Sequence, residues 1–107
     1  MSVRALLILS AFLASGAAAA PTLDPQFGSH AVIQRGRPIL LSGKAAPNEH
    51  VMVSFGGEQQ TAMADSSGRW RATFSARPAG GPYSIDLDGS TAAQDVEVGD
   101  VWLCSGQ

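Results

Sequence analysis

Cysteine, aromatic residues and positive charge are all scarce in this chain: one cysteine, one tyrosine, two tryptophans and seven basic residues in 107. A single cysteine excludes an internal disulfide, so the fold has no covalent staple. Cys104 sits in an apolar run, and the sequence favours a buried, inert thiol over one paired with a cysteine beyond this sequence. No basic run is present, and a formal charge of −2 at neutral pH argues against nucleic acid or anionic lipid as a partner. No apolar stretch reaches the roughly 20 residues that span a bilayer, so no stable membrane anchor is expected. From Pro21 onward there is no helical stripe, no internal repeat and no low-complexity tract. The length allows one ordinary domain at most.

What is present begins with a leader. Met1 to Arg4 is a short basic region, Ala5 to Leu13 is apolar, and Ser15 to Ala20 is rich in small residues. That order is the pattern of a secretory signal peptide. Residues 1–19 are assigned to it, with cleavage after Ala19 because a cut after Ala20 would leave Pro21 at the new terminus. Losing Arg4 takes the formal charge from −2 to −3. The expected location is outside the cytoplasm, in the periplasm or the extracellular medium.

The remainder alternates polar and apolar with a period of two, broken by turn residues. Ile39 and Leu41 share a face, as do Val51, Val53 and Phe55. Gly56-Gly57 is a two-residue hairpin signal, since both positions of a type I′ turn need positive φ. Glu58 to Ala64 is the return strand, polar enough for a sheet edge. Trp70, Ala72 and Phe74 alternate with Arg69, Arg71 and Thr73, and Tyr83, Ile85 and Leu87 alternate with Ser84, Asp86 and Asp88. Asp88-Gly89 is a second type I′ candidate, and a polar segment from Ser90 to Asp95 leads into Val96 and Val98. Short strands with turns every eight to twelve residues predict an all-β sandwich. Its inward residues should be Val32, Ile39, Leu41, Val51, Val53, Phe55, Trp70, Phe74, Tyr83, Ile85 and Leu87, with Trp70 as the anchor.

The sequence closes on Gly99-Asp100-Val101-Trp102-Leu103-Cys104-Ser105-Gly106-Gln107, an apolar strand running into a glycine-bearing turn. This run resembles the start of the catalytic domain in the sialate O-acetylesterase family, secreted SGNH-type hydrolases. Three further stretches carry the same likeness. Gly28-Ser29-His30-Ala31-Val32-Ile33-Gln34-Arg35 is similar to the family's amino-terminal box, with Ser29 where Asp is usual and Ala31 where Met is usual. Ala64-Asp65-Ser66-Ser67-Gly68-Arg69-Trp70 resembles its Ala-Asp-x-x-Gly-x-Trp hairpin, and Gly80-Gly81-Pro82-Tyr83 its loop-to-strand element. The family's Pro-Gly-Glu turn stands here as Pro47-Asn48-Glu49, and Asn tolerates left-handed backbone.

The resemblance implies an Ig-like antiparallel β-sandwich over residues 20–97, followed at 98–107 by the first strand of a truncated α/β SGNH hydrolase domain. In the family the run continues through Ser-Asn-Met, and the serine after the glutamine is the nucleophile. That residue would follow Gln107, so Ser105, Gly106 and Gln107 form an active-site-adjacent turn and the chain holds no catalytic residue of its own. Ser105 also lacks a Gly-x-Ser-x-Gly elbow. Gly106 permits the sharp bend that would hold the next serine exposed. The resemblance implies a Ser-His-Asp triad whose acid and base lie near the far end of the catalytic domain, so Asp100 is a turn residue. Oxyanion stabilisation would come from the serine N–H with a later Gly and Asn. No cofactor is implied.

Other residues carry weaker signals. His30, His50, Met52 and Met63 invite a copper reading, since His-x-Met is a copper-ligand spacing and alternation puts His50 and Met52 on one face, but they show no tight cluster, and no metal site is assigned. Arg69 and Arg71 face Asp86 and Asp88 as expected cross-strand surface pairs, with a carboxylate clamp for an acidic sugar as the alternative. Three functions follow: the amino-terminal part of an exported esterase acting on O-acetylated sugar, inactive without the hydrolase domain in cis; a free-standing glycan-binding sandwich, with Trp102 as the one candidate platform; or a spacer that packs on the hydrolase domain.

Overall fold

The computed structural model describes residues 20–101. Alternation of apolar and polar residues gives eight strands: β1 (Thr22–Leu23), β2 (Val32–Gln34), β3 (Ile39–Lys44), β4 (His50–Phe55), β5 (Glu58–Met63), β6 (Arg69–Phe74), β7 (Gly80–Leu87) and β8 (Ser90–Gly99). A short 3₁₀ turn, Pro25–Phe27, separates β1 from β2. Gly56 and Gly57 both take positive φ (52° and 86°), closing the β4–β5 hairpin with Phe55 opposite Glu58. Asp88 and Gly89 do the same for β7–β8. Asn48 takes φ 64°, as its turn requires.

The strands form two sheets, one ordered β1-β3-β6 and the other β2-β8-β7-β4-β5. Each turns its apolar face inward, so the core lies between them as in other sandwiches. Ile39 and Leu41 from β3, and Trp70, Ala72 and Phe74 from β6, meet Val51, Val53 and Phe55 from β4 and Ile85 and Leu87 from β7. Trp70 is completely buried. Its indole N–H lies 3.2 Å from both the Thr22 and Lys44 carbonyl oxygens, so the one polar atom of the anchor is satisfied. Gly43 lies opposite it in the register. A Cβ there would collide with the Thr22 carbonyl oxygen and come within 2.7 Å of the indole, which is why that strand position is glycine.

The all-β sandwich is as expected, with β5 at a sheet edge, and several details differ. The Ala64–Trp70 segment is not a hairpin between paired strands: β5 pairs with β4 and β6 pairs with β3, so it is an arch between sheets. The arch is still closed locally, because the Asp65 N–H donates to the Arg69 carbonyl at 2.9 Å. The same division of sheets removes the expected partnership of Arg69 and Arg71 with Asp86 and Asp88. Arg69 instead grips Asp24 through both terminal nitrogens, at 2.9 and 2.7 Å. The five-stranded sheet is mixed, since β2 lies parallel to β8. Val32, expected inside, is 52% exposed, because β2 is an edge strand, and Tyr83 is only half-buried. Alanines took positions that pattern alone undervalued: Ala62, Ala64 and Ala93 are buried, together with Val96 and Val98. β8 continues through Val98 and Gly99, opposite Gly80 and Gln34.

Candidate functional site

Because β2 and β8 run parallel, their carboxyl ends emerge together at one end of the sandwich. Gln34 lies beside Gly99 in the register. The Arg35 N–H then donates to the Gly99 carbonyl at 2.8 Å, and the Gly36 N–H to the Arg77 carbonyl at 2.9 Å. These contacts frame an open groove of about 500 Å³ lined by Gln34, Arg35, Gly36, Ala76, Arg77, Pro78 and Asp100. It lies where the chain leaves β8 through Asp100 and Val101.

The groove is polar and mostly internally paired. Arg35 Nε donates to Asp100 Oδ1 at 3.1 Å, with both side chains about half exposed. Gln34 works in both directions: its amide donates to the Arg35 carbonyl at 3.1 Å, and its Oε1 accepts the Val101 N–H at 3.1 Å. Asp100 is thus held by Arg35 and Gln34. Arg77 is the largely buried member. Its guanidinium carbon lies 5.1 Å from the Phe55 ring centre and 5.3 Å from that of Tyr83, a cation–π arrangement. One terminal nitrogen donates to the Phe55 carbonyl at 3.1 Å and lies 3.5 Å from Glu58 Oε1. Its Nε is buried without a partner among the described residues. A groove with two guanidiniums and an amide can hold carbonyl or carboxylate oxygens; it carries no nucleophile paired with a base.

At the opposite end of the sandwich the ionisable groups are tightly held. Asp24 accepts from both Arg69 terminal nitrogens and from the Ser42 hydroxyl at 2.6 Å. The Arg69 bonds first, and the Ser42 bond second, keep its carboxyl below the ordinary value. Asp65 Oδ1 accepts from the Ser67 hydroxyl at 2.7 Å and from the Ser67 and Arg69 backbone N–H groups at 2.9 and 3.0 Å. Those bonds, the Ser67 hydroxyl foremost, lower Asp65 from 3.8 to about 2.

The residues singled out in the sequence are dispersed. Ser29, standing where the family has Asp, accepts the Gln94 N–H on its hydroxyl at 3.0 Å. His30 is exposed, 3.9 Å from Asp95. His50 and Met52 share the outer face of β4. Residues 1–19, assigned to the signal peptide, and Trp102, Cys104, Ser105, Gly106 and Gln107 lie outside the described residues. The groove itself has no signature in the sequence. Gln34 and Arg35 close the amino-terminal box, but nothing in the pattern joins them to Arg77, which stands in a Pro- and Gly-rich loop.

No protein-family model matches the chain, and no curated protein matches it. Among solved structures it is similar to the crystal structure of a carbohydrate acetylesterase from Xanthomonas citri, with 41% identity and a TM-score of 0.72. The match covers 78% of this chain and 20% of that protein, so the chain spans about a fifth of its length. At that identity the likeness goes beyond shared fold and relates the chain to a carbohydrate esterase.

Proposed function

We propose that this chain is the amino-terminal part of an exported carbohydrate esterase of the sialate O-acetylesterase kind. The complete enzyme removes O-acetyl groups from sugars by serine acyl transfer. The observation that carries the proposal is the 41% identity to a carbohydrate acetylesterase of which this chain spans a fifth. On this reading the sandwich precedes an SGNH hydrolase domain, and the run from Val98 to Gln107 leads into it. The nucleophile is the serine after Gln107, and residues 1–107 alone are inactive. The groove at Gln34, Arg35, Arg77 and Asp100 suits a surface on which the hydrolase domain rests in cis, because it flanks the strand that leads there. The sandwich then serves as a spacer and support.

The test begins with the coding sequence past Gln107, which should continue with Ser-Asn-Met. Protein extended through the whole hydrolase domain should release acetate from O-acetylated sugars and lose this activity when the serine after Gln107 is changed to Ala. Residues 1–107 should release none. Acetate release by the 107-residue chain itself would overturn the assignment.

A further inference from the structure

The outer face of the β4–β5 hairpin gathers soft ligands that are thirteen residues apart in sequence. The register places His50 directly opposite Met63 and Met52 opposite Thr61. Directly opposed residues of an antiparallel pair project from the same face with Cβ atoms about 4.5–5.5 Å apart. Met52 is two residues from His50 on that face, about 6.6 Å along the strand. All three side chains point away from the core: Met52 is 45% exposed, Met63 is 58% exposed, and His50 is exposed too. Neither methionine is used in packing the sandwich. Both thioethers are on long, flexible stems, so one ion above the hairpin lies within reach of two sulfurs and an imidazole.

The neighbourhood favours a cation. Asp88 Oδ1 accepts the Met52 N–H at 2.9 Å, and the Asp88 N–H donates to the Met52 carbonyl at 2.9 Å. This pins a carboxylate beside the face. Among the described residues no three His, Cys, Asp or Glu side chains converge, so the face offers nothing suited to a zinc or calcium ion. Two thioethers with one imidazole form a donor set that selects a soft monovalent ion.

We propose that His50, Met52 and Met63 form a surface site for copper(I). The three donors come from two strands, and the hairpin turn at Gly56-Gly57 fixes their register in advance. The site is independent of the groove and of any esterase activity.

The test uses the full chain carrying Cys104→Ser, so that the thiol does not compete. Silver(I) serves as a redox-inert probe, followed by copper(I) in competition with bicinchoninate. One equivalent of silver should shift the methyl resonances of Met52 and Met63 and leave that of Met1 in place. Met52→Leu and Met63→Leu keep side-chain volume, and each should weaken copper(I) binding at least about tenfold. His50→Gln should do the same. Unchanged affinity in the Met52→Leu/Met63→Leu double variant, with its circular dichroism intact, would overturn the site. So would a silver-induced shift confined to Met1.

Discussion

The two ends of the sandwich are finished to different degrees. At the Trp70 end every polar atom of the anchor has a partner: the indole N–H meets two carbonyls, and the Asp24 carboxylate takes three donors from Arg69 and Ser42. At the Arg77 end a largely buried guanidinium keeps one unpartnered nitrogen among the described residues, beside an open groove of about 500 Å³. Buried polar groups left unpaired are costly. The closed end is the one whose anchor is fully paired, and the open end is the one at which β2 and β8 emerge together.

Substitutions at the closed end should dominate stability. Trp70→Ala empties the largest buried side chain and removes the indole donor from the Thr22 and Lys44 carbonyls. Denaturant unfolding should show a loss of about 3–5 kcal/mol. Gly43→Ala tests the same contact from the other side. The added methyl meets backbone oxygen and a rigid ring, and overpacking of that kind should cost about 1–3 kcal/mol. A Gly43→Ala protein as stable as the parent would show that β1 does not clamp the indole.

Acid should weaken the closed end. Asp24 and Asp65 both titrate below the ordinary carboxylate range in the folded chain. A depressed folded value contributes stability above the unfolded value, and that stability is lost as pH falls through the folded one. For Asp65 the window runs from 3.8 down to about 2. Urea midpoints measured between about pH 5 and pH 2 should fall steadily, and Asp65→Asn should flatten the slope. An unchanged slope in Asp65→Asn would place the acid sensitivity elsewhere.

The hydrophobic interior that both ends share is legible in the residue pattern. Period-two alternation places Val51, Val53 and Phe55 inside, and Gly56-Gly57 and Asp88-Gly89 close the hairpins they announce. The remainder depends on information that pattern does not hold. Asp65-Ser66-Ser67-Gly68 closes a loop chemically, but the residues of a turn do not say which sheet receives the next strand. Val32 has the side chain of a core residue and lies at an edge because β2 joins β8 in parallel, a long-range choice. Arg77 has no period at all; its role comes from the rings of Phe55 and Tyr83, 5.1 and 5.3 Å from its guanidinium carbon. The pairing of His50 with Met63 is available in principle, since a two-residue turn centred on Gly56-Gly57 determines every partner along β4 and β5. For the expected site turn, Ser105-Gly106-Gln107, the described residues stop short.

The smallest effect bears most directly on the open end. Arg35 and Asp100 meet at 3.1 Å with both side chains about half exposed. In residues 1–107 a double-mutant cycle of Arg35→Ala and Asp100→Ala should return a coupling of about 0–1 kcal/mol, as for other exposed pairs. Added salt should reduce it, because water screens the pair. In protein extended past Gln107, a hydrolase domain resting on the groove would displace that water and weaken the screening. The coupling should then exceed its value in the short chain and lose its salt dependence. Equal coupling in both proteins would mean that the groove stays open to solvent, and would leave the hydrolase domain tethered by the strand alone.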